Sequence, residues 1–334
     1  MITNARALTD EFTPPEVQHR HGEIEHLSAT LDPIIQGGHA ESSLLYGPSG
    51  AGKTCISKHV VDQLTEEVIE INTQYVNAWN DYNRYKCLYR VLEGINETLD
   101  IHRQSTPTDE LLERVRDYDG PPYVVILDEV DQLEDKRVLY DLYRISNLTM
   151  ILIANREEDL FSALDDRVRS RLHVSNRIRF AQYDLDQLVS ILEDRVRWGL
   201  AEDVIETDQL EQIADAAAGD ARIAIGILRV AAQRAKQESS PSISDKHIEN
   251  AIPKARAQVQ QKNVEKLSEH QKILFDIIQE EKEVKPKQLY SEYGERADNP
   301  KTRRMLRNYL SKMEHYNLIT AKGKKRGRIY QIRD

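Results

Sequence analysis

The run Gly47-Pro48-Ser49-Gly50-Ala51-Gly52-Lys53-Thr54 fits the spacing GxxxxGK[ST]. Residue types at that spacing do one kind of chemistry well. Glycines let backbone N–H groups point inward at phosphate oxygens, and a helix starting at the end of the run adds a favourable potential there. Lys53 would reach the β- and γ-phosphates of ATP, and the Thr54 hydroxyl would ligate Mg²⁺. Gly50, Ala51, Gly52, Lys53 and Thr54 are therefore the candidate contacts to ATP or ADP. Further on, Val124-Val125-Ile126-Leu127 runs into Asp128-Glu129. A carboxylate at the C-terminal end of a neighbouring strand is where Mg²⁺ needs an anchor, so Thr54 and Asp128 are the candidate metal residues. Glu129 would orient and polarise an attacking water, the mark of a hydrolase rather than a binder. Asn155 follows another apolar run, Met150-Ile151-Leu152-Ile153-Ala154. A neutral amide there would hydrogen-bond the water or the γ-phosphate, although an asparagine after a strand also reads as a turn former.

Such residues need a scaffold that gathers strand ends. Ser43-Leu44-Leu45-Tyr46, Val68-Ile69-Glu70-Ile71-Asn72, Tyr123-Val124-Val125-Ile126-Leu127 and 150–154 read as buried strands, with helical patterns at 54–64 and 86–99. Strands alternating with helices predict an α/β domain whose parallel sheet is covered on both faces. From Asp184 the strands stop. Asp184 with Gln187 resembles a capping box, and Leu188, Ile191, Leu192 and Val196 follow at helical spacing. Patterns at 207–218, 220–237 and 243–258 complete a small all-helical domain, and the polar stretch 253–266 reads as a joint. Beyond it, 273–278 and 286–293 mark two short helices. A third is expected from Asn299 as N-cap, with Pro300 at its first position. Residues 317–320 and 328–332 read as two strands, so three helices and a basic hairpin give a winged-helix pattern. The expected domains are 1–182, 183–258 and 259–334.

Charge is distributed unevenly along this plan. The chain carries a net −10, yet residues 267–334 hold 16 basic and 10 acidic residues, and the last 36 hold 11 against 2. A basic end on an acidic body is the asymmetry of a module that meets a polyanion. In the third helix of that end, Met305, Leu306, Tyr309, Leu310, Met313 and Tyr316 form an apolar stripe that reads as core. Arg303, Arg304, Arg307, Asn308, Ser311 and Lys312 fall on the other side, where Glu314 is the one acid. That face suits the major groove of duplex DNA, with arginine on phosphates or guanine and asparagine on adenine. Lys324, Lys325, Arg326 and Arg328 would form a basic wing on the minor groove or backbone.

The remaining composition narrows the classes. The 334 residues are 40% hydrophobic and 31% charged, an ordinary globular balance with room for two or three domains. No apolar run reaches the ~18–20 residues of a membrane span, and the first residues lack a signal-peptide core. Two cysteines, Cys55 and Cys87, without CxxC spacing, supply neither a disulfide framework nor a structural zinc site. The expectation is a cytoplasmic chain with no membrane partner.

Together these residues resemble archaeal origin-recognition-type (ORC/CDC) replication initiators, a branch of the AAA+ ATPases. The likeness rests on the glycine-rich run, Asp128-Glu129, Asn155, Arg167-Val168-Arg169-Ser170-Arg171-Leu172, a helical lid and a winged helix. Val17-Gln18-His19-Arg20, Leu164-Asp165-Asp166-Arg167-Val168 and Gly219-Asp220-Ala221-Arg222 add local matches, although Gln18 stands where the family has proline. The resemblance implies a sensor-1 role for Asn155, a sensor-2 role for Arg222 and an arginine finger for Arg171, offered to a neighbouring subunit's nucleotide. It also implies that Tyr183 and Arg195 contact the nucleotide. As bare residues those two read as an aromatic at a helix start and an exposed helix charge.

The function this implies is an ATP-dependent initiator that binds origin duplex DNA and helps recruit the replicative helicase. ATP binding and slow hydrolysis would be its switch, with other copies or paralogues beside it on DNA. Three other readings compete. A clamp-loader-type ATPase shares the Ser-Arg triplet but would end in a helical collar rather than a basic winged helix. The others are a DNA-stimulated branch-migration motor and a DNA-binding transcription regulator or auxiliary paralogue with structural nucleotide.

Overall fold

Five strands, β1 (Ser43–Tyr46), β2 (Asn72–Asn77), β3 (Tyr123–Asp128), β4 (Leu148–Ala154) and β5 (Asn176–Arg179), form one sheet in the order β2-β3-β4-β1-β5. Every pairing is parallel. Parallel neighbours require long crossovers, and helices on both faces supply them. This computed structural model describes the chain apart from positions 11, 16, 103–104, 163, 165, 167–168, 171–175, 317, 324–326 and 334. It divides into two compact units, Met1–Ala255 and Arg256–Asp334.

Alternation along the strands feeds two cores. Leu45, Val124, Ile126, Ile151 and Ile153 pack with α1 (His21–Ile35) and α2 (Lys53–Glu67). Leu44, Val125, Leu127, Met150 and Leu152 face the opposite side, against α3 (Arg84–Glu93), α4 (Thr108–Arg116), α5 (Arg137–Tyr143) and α6 (Glu157–Ser162). Strand order sets β3, β4 and β1 side by side. Their C-terminal ends therefore bring Asp128, Asn155 and the start of the glycine-rich loop together at the carboxyl end of the sheet.

The first unit continues into α7 (Leu185–Gly199), α8 (Thr207–Ala217), α9 (Ala221–Gln237) and the first half of α10 (Asp245–Glu265), whose second half belongs to the second unit. Asp184 caps α7 as expected. Its carboxylate accepts from Gln187 N at 2.9 Å while the Gln187 side chain accepts from Asp184 N at 3.2 Å. The chain's first residues also pack here. Leu8 is buried in the helical core, Ala201 N donates to Met1 O at 2.8 Å, and Thr3 N and Asn4 N donate to Gly199 O.

The second unit contains α11 (Glu269–Glu281), β6 (Glu283–Val284), α12 (Pro286–Arg296), α13 (Arg303–His315), β7 (Ile319–Lys322) and β8 (Ile329–Ile332). The strands form an antiparallel sheet ordered β6-β8-β7. Leu274, Ile278, Leu289, Leu306, Leu310 and Met313 are buried at its centre.

Several elements differ from the sequence expectation. The strand expected at 68–72 begins only at Asn72, and Ile69 is fully exposed in the connection before it. β2 lies at the sheet edge, where one half-covered strand tolerates Asn-Thr-Gln, so the apolar signal fell on the wrong residues. β5, Asn-Arg-Ile-Arg, is the other edge and carried no apolar signal. The helix expected at 86–99 spans Arg84–Glu93, with Asn83 as its cap. The joint expected at 253–266 is largely helix, the second half of α10; a polar helix lacks the apolar period that would reveal it. The third helix of the second unit starts at Arg303 rather than Pro300, because the Thr302 hydroxyl accepts from Met305 N and caps it there. Among the described residues no helix is long and apolar enough to cross a membrane.

Candidate functional site

The glycine-rich loop joins the end of β1 to α2, whose first residue is Lys53. Gly50 and Gly52 take φ of +74° and +93°, a region that side chains disfavour. A Cβ at Gly50 would also collide with the Asp220 carboxylate, and one at Gly52 would fall 2.5 Å from the Tyr183 hydroxyl oxygen. Ala51 is buried between them. Lys53 is 7% exposed and curls back over the loop, its Nζ donating to Gly47 O at 2.7 Å, Pro48 O at 2.8 Å and Asn155 Oδ1 at 3.3 Å. Burial pushes its pKa down to about 8, against the pull of the Asp128 carboxylate. An ammonium so held is short of negative charge, which a phosphate would supply.

Thr54 Oγ1 donates to Asp128 Oδ2 at 2.7 Å. Tyr75 OH donates to the same oxygen at 2.9 Å, and Asp128 Oδ1 accepts from Glu129 N at 2.9 Å. A hydroxyl and a carboxylate are hard oxygen donors that suit Mg²⁺, which keeps water and phosphate oxygens in its remaining positions. Among the described residues there is no cluster of three or more His, Cys, Asp or Glu able to hold a metal alone. The donor set therefore fits a cation that arrives with a nucleotide. Glu129 follows with φ of +57° and ψ of +42°. Holding a non-glycine residue there costs about 1–2 kcal/mol, a strain typical of side chains aimed by their surroundings.

Helices of the same unit close the other side of this cavity. Asp10, Val17, Ile191, Asp194, Trp198 and Ile225 line it together with the loop, Asp128, Glu129, Asn155, Tyr183, Arg195 and Arg222. Ile191, Asp194, Arg195 and Trp198 recur at three- and four-residue spacing and so share one face of α7. The Arg20 guanidinium sits 4.1 Å from the Tyr183 ring centre and donates to Ala181 O at 2.7 Å, which fixes the ring against Gly52. Arg195 is buried, contrary to its bare reading as an exposed charge. Its guanidinium donates to Ala7 O, Thr9 O and Phe12 O at 2.9, 3.3 and 3.0 Å, tying the N-terminal segment along the cavity wall. Arg222 pairs with Asp220, Nη2 to Oδ2 at 2.9 Å. Burial is the largest single influence and lowers its pKa, but the Asp220 charge and hydrogen bond, with the Glu129 and Asp10 charges, together leave it raised. Ala221 N donates to Gly50 O at 3.3 Å, so the start of α9 rests on the phosphate loop. Arg171 lies outside the described residues.

Of the two tryptophans, Trp79 is 5% exposed, whereas Trp198 is 45% exposed at this cavity. Adding ADP is therefore expected to change the emission of the wild-type protein. Trp198→Phe should abolish that change without removing binding, checked by calorimetry on the same sample.

In the second unit, Arg303, Arg304, Arg307, Asn308 and Ser311 are exposed and Lys312 is half-buried, while Leu306, Tyr309, Leu310, Met313 and Tyr316 are buried. The basic side of α13 is thus outward. Arg303, Arg307 and Arg328 all act electrostatically on Tyr290 of α12, so the helix and the β8 end of the hairpin share one basic patch. Lys324, Lys325 and Arg326 lie outside the described residues.

Sequence reasoning gave no role to Tyr75, Asp220 or Trp198 and quoted Arg20 only within a motif. For Asp220 the signal was present in Gly-Asp-Ala-Arg, and for Trp198 in its helical spacing from Arg195. Tyr75 left none, since its strand was misplaced.

Comparison with known proteins gives concordant results. A family model described as an AAA domain matches residues 36–162, and one described as a Cdc6 AAA+ ATPase-type lid domain matches residues 189–253. ORC1-type DNA replication protein 9 of Halobacterium salinarum is 50% identical across 100% of this chain and 94% of its own length. ORC1-type DNA replication protein 1 of the same organism is 54% identical across 92% of this chain and 100% of its own. Among solved structures, that of the Aeropyrum pernix ORC1 protein in complex with DNA superposes with a TM-score of 0.77 at 23% identity, covering 99% of this chain and 93% of that one. That likeness is one of fold.

Proposed function

The chain belongs to the ORC1-type DNA replication proteins, and from that premise we propose that it is an ATP-regulated initiator that binds origin duplex DNA. The reading is carried by one observation above the rest: a single chain joins a phosphate loop, its acids and its lid around one cavity to a unit that turns a basic helix face outward. The helix and strand order of the second unit supports reading it as a winged helix. In this reading α13 enters the major groove, and Arg328 with the rest of the hairpin grips the flanking backbone or minor groove.

In the nucleotide site, Lys53 would exchange the Gly47 and Pro48 carbonyls for phosphate oxygens, and Thr54 and Asp128 would hold Mg²⁺. The metal would supply charge neutralisation between phosphates. Tyr183 and the apolar side of α7 would wall the base. Asn155, already within reach of Lys53, would sense the terminal phosphate, and Arg222 would leave Asp220 for it. Because Arg222 and the Gly50 contact both belong to the start of α9, phosphate occupancy would be transmitted to the lid helices. Glu129 would orient the water, with Arg171 supplied by another copy, so an isolated protomer should turn over slowly. Recruitment of the replicative helicase and residence with the nucleoid belong to the same reading.

Glu129→Gln tests the hydrolytic half. It is expected to bind ATP within about twofold of wild type while losing about 10²–10⁴-fold in turnover. The result to measure is single-turnover ADP formation; unchanged turnover would remove Glu129 from the water and the hydrolytic switch with it.

A further inference from the structure

Asp128 receives more fixing than Thr54 and the backbone provide. Tyr75 on the edge strand β2 lies in register with Ile126, two residues before the pair Asn77 and Asp128. From there its phenol crosses to Asp128 Oδ2 at 2.9 Å, the oxygen that already accepts from Thr54 at 2.7 Å. The phenol oxygen in turn accepts from Asn77 Nδ2 at 3.4 Å, a long contact that favours its proton pointing at Asp128. From α2, the Lys58 ammonium stands 4.0 Å from the ring centre, and the ring packs against the apolar core beneath α1 and α2. The side chain is therefore pinned on its face, at its edge and at its tip.

We propose that Tyr75 is a positioning residue for the metal carboxylate: its hydroxyl fixes Asp128 in the orientation that receives Mg²⁺ with the nucleotide. The inference rests on the reading of Thr54 and Asp128 as the metal residues. A carboxylate free to rotate about χ2 must be ordered when the cation binds. One whose two oxygens are already assigned to Thr54, Tyr75 and the Glu129 N–H carries that cost in the fold. Donation also draws some charge from Oδ2, which weakens it as a metal donor. Outer hydrogen-bond partners of metal residues nevertheless sustain affinity by about 10–100-fold when measured by removal, so the ordering term governs.

Tyr75→Phe tests this, since it keeps the ring, its packing and the Lys58 contact and removes only the hydroxyl. ADP binding is measured by calorimetry in EDTA and then across a MgCl₂ titration, for wild type, Tyr75→Phe and Asp128→Asn. Wild type is expected to gain ADP affinity with Mg²⁺. Tyr75→Phe should match wild type within about twofold in EDTA but need about tenfold more Mg²⁺ for half of the gain. Asp128→Asn should lose the gain. If Asp128→Asn loses it and Tyr75→Phe keeps the wild-type Mg²⁺ requirement, the positioning role is overturned and the metal site stands. A Tyr75→Phe loss equal with and without Mg²⁺ also overturns it, showing a packing residue. If Asp128→Asn retains the full gain, the metal reading itself fails and this inference falls with it.

Discussion

Lys53→Ala is expected to lower the affinity for ATP and ADP by at least about 100-fold. The reason lies in what the ammonium now does. It is almost fully buried, satisfied by two loop carbonyls and an amide oxygen, and lies beside an acid it does not directly contact. A phosphate brings full negative charge to that place, and each charge-assisted bond it accepts is worth about 1.5–3 kcal/mol. Loss of two such bonds costs about 3 kcal/mol at the least, which is the hundredfold stated. The same burial predicts a pH dependence. With the free-state pKa pushed down to about 8, the unliganded protein already carries the needed proton below that pH. Above it, the bound state holds a proton that the free state has lost, so affinity should fall by up to about tenfold per unit of rising pH. Lys53→Ala should bind weakly and without that slope. Calorimetric ADP titrations of both proteins between pH 7 and 9.5 would show it, and a wild-type affinity flat across this range would contradict the assignment of Lys53 to phosphate.

The second large effect is expected on the basic helix. Arg303 and Arg307 stand one turn apart on the exposed side of α13, with Arg307 Nε donating to Arg303 O at 3.3 Å. Neither side chain is buried, and alanine favours a helix at least as well as arginine, so Arg303→Ala/Arg307→Ala should leave the unit folded. If both grip phosphates, the double variant loses two released counterions. The slope of log affinity against log salt then falls in magnitude by about 1.8. A contact to guanine would instead cost about 1–3 kcal/mol at one base pair and relax preference there. Anisotropy titrations on duplex DNA across a salt series separate the two. Unchanged affinity and slope would mean that this face is merely solvated.

Where side chains speak for their own neighbourhood, the sequence was readable. Gly47 to Thr54 names a loop whose shape is decided by its glycines, and Asp128, Asn155 and the loop are adjacent because β3, β4 and β1 are. The capping pair Asp184 and Gln187 and the apolar stripe of α13 were legible for the same local reason. Contacts that span the chain were not. Arg195 has no local feature to say that it binds the carbonyls of residues 7, 9 and 12. Tyr75 meets Asp128 only because β2 pairs with β3 in the register that sets Tyr75 opposite Ile126, two residues short of Asp128. Edge strands themselves are hard to read, since half-exposure admits polar residues: β2 was displaced and β5 and β6 carried no signal at all. The Asp220–Arg222 pair was half visible, with the arginine assigned by resemblance and its carboxylate partner overlooked.

Nucleotide and sequence-selective DNA binding are coupled in this protein's proposed role, and a single comparison tests that coupling. Duplexes carrying origin regions of the source genome, and shuffled duplexes of equal length, are titrated at one fixed salt concentration with ATP, with ADP and without nucleotide. Turnover is followed in the same samples. Origin duplexes are expected to bind about 10³-fold or more tighter than shuffled ones, with an affinity that changes with the nucleotide and slow hydrolysis. Fast hydrolysis stimulated equally by every duplex, with no preference among them, would contradict it and identify a motor instead.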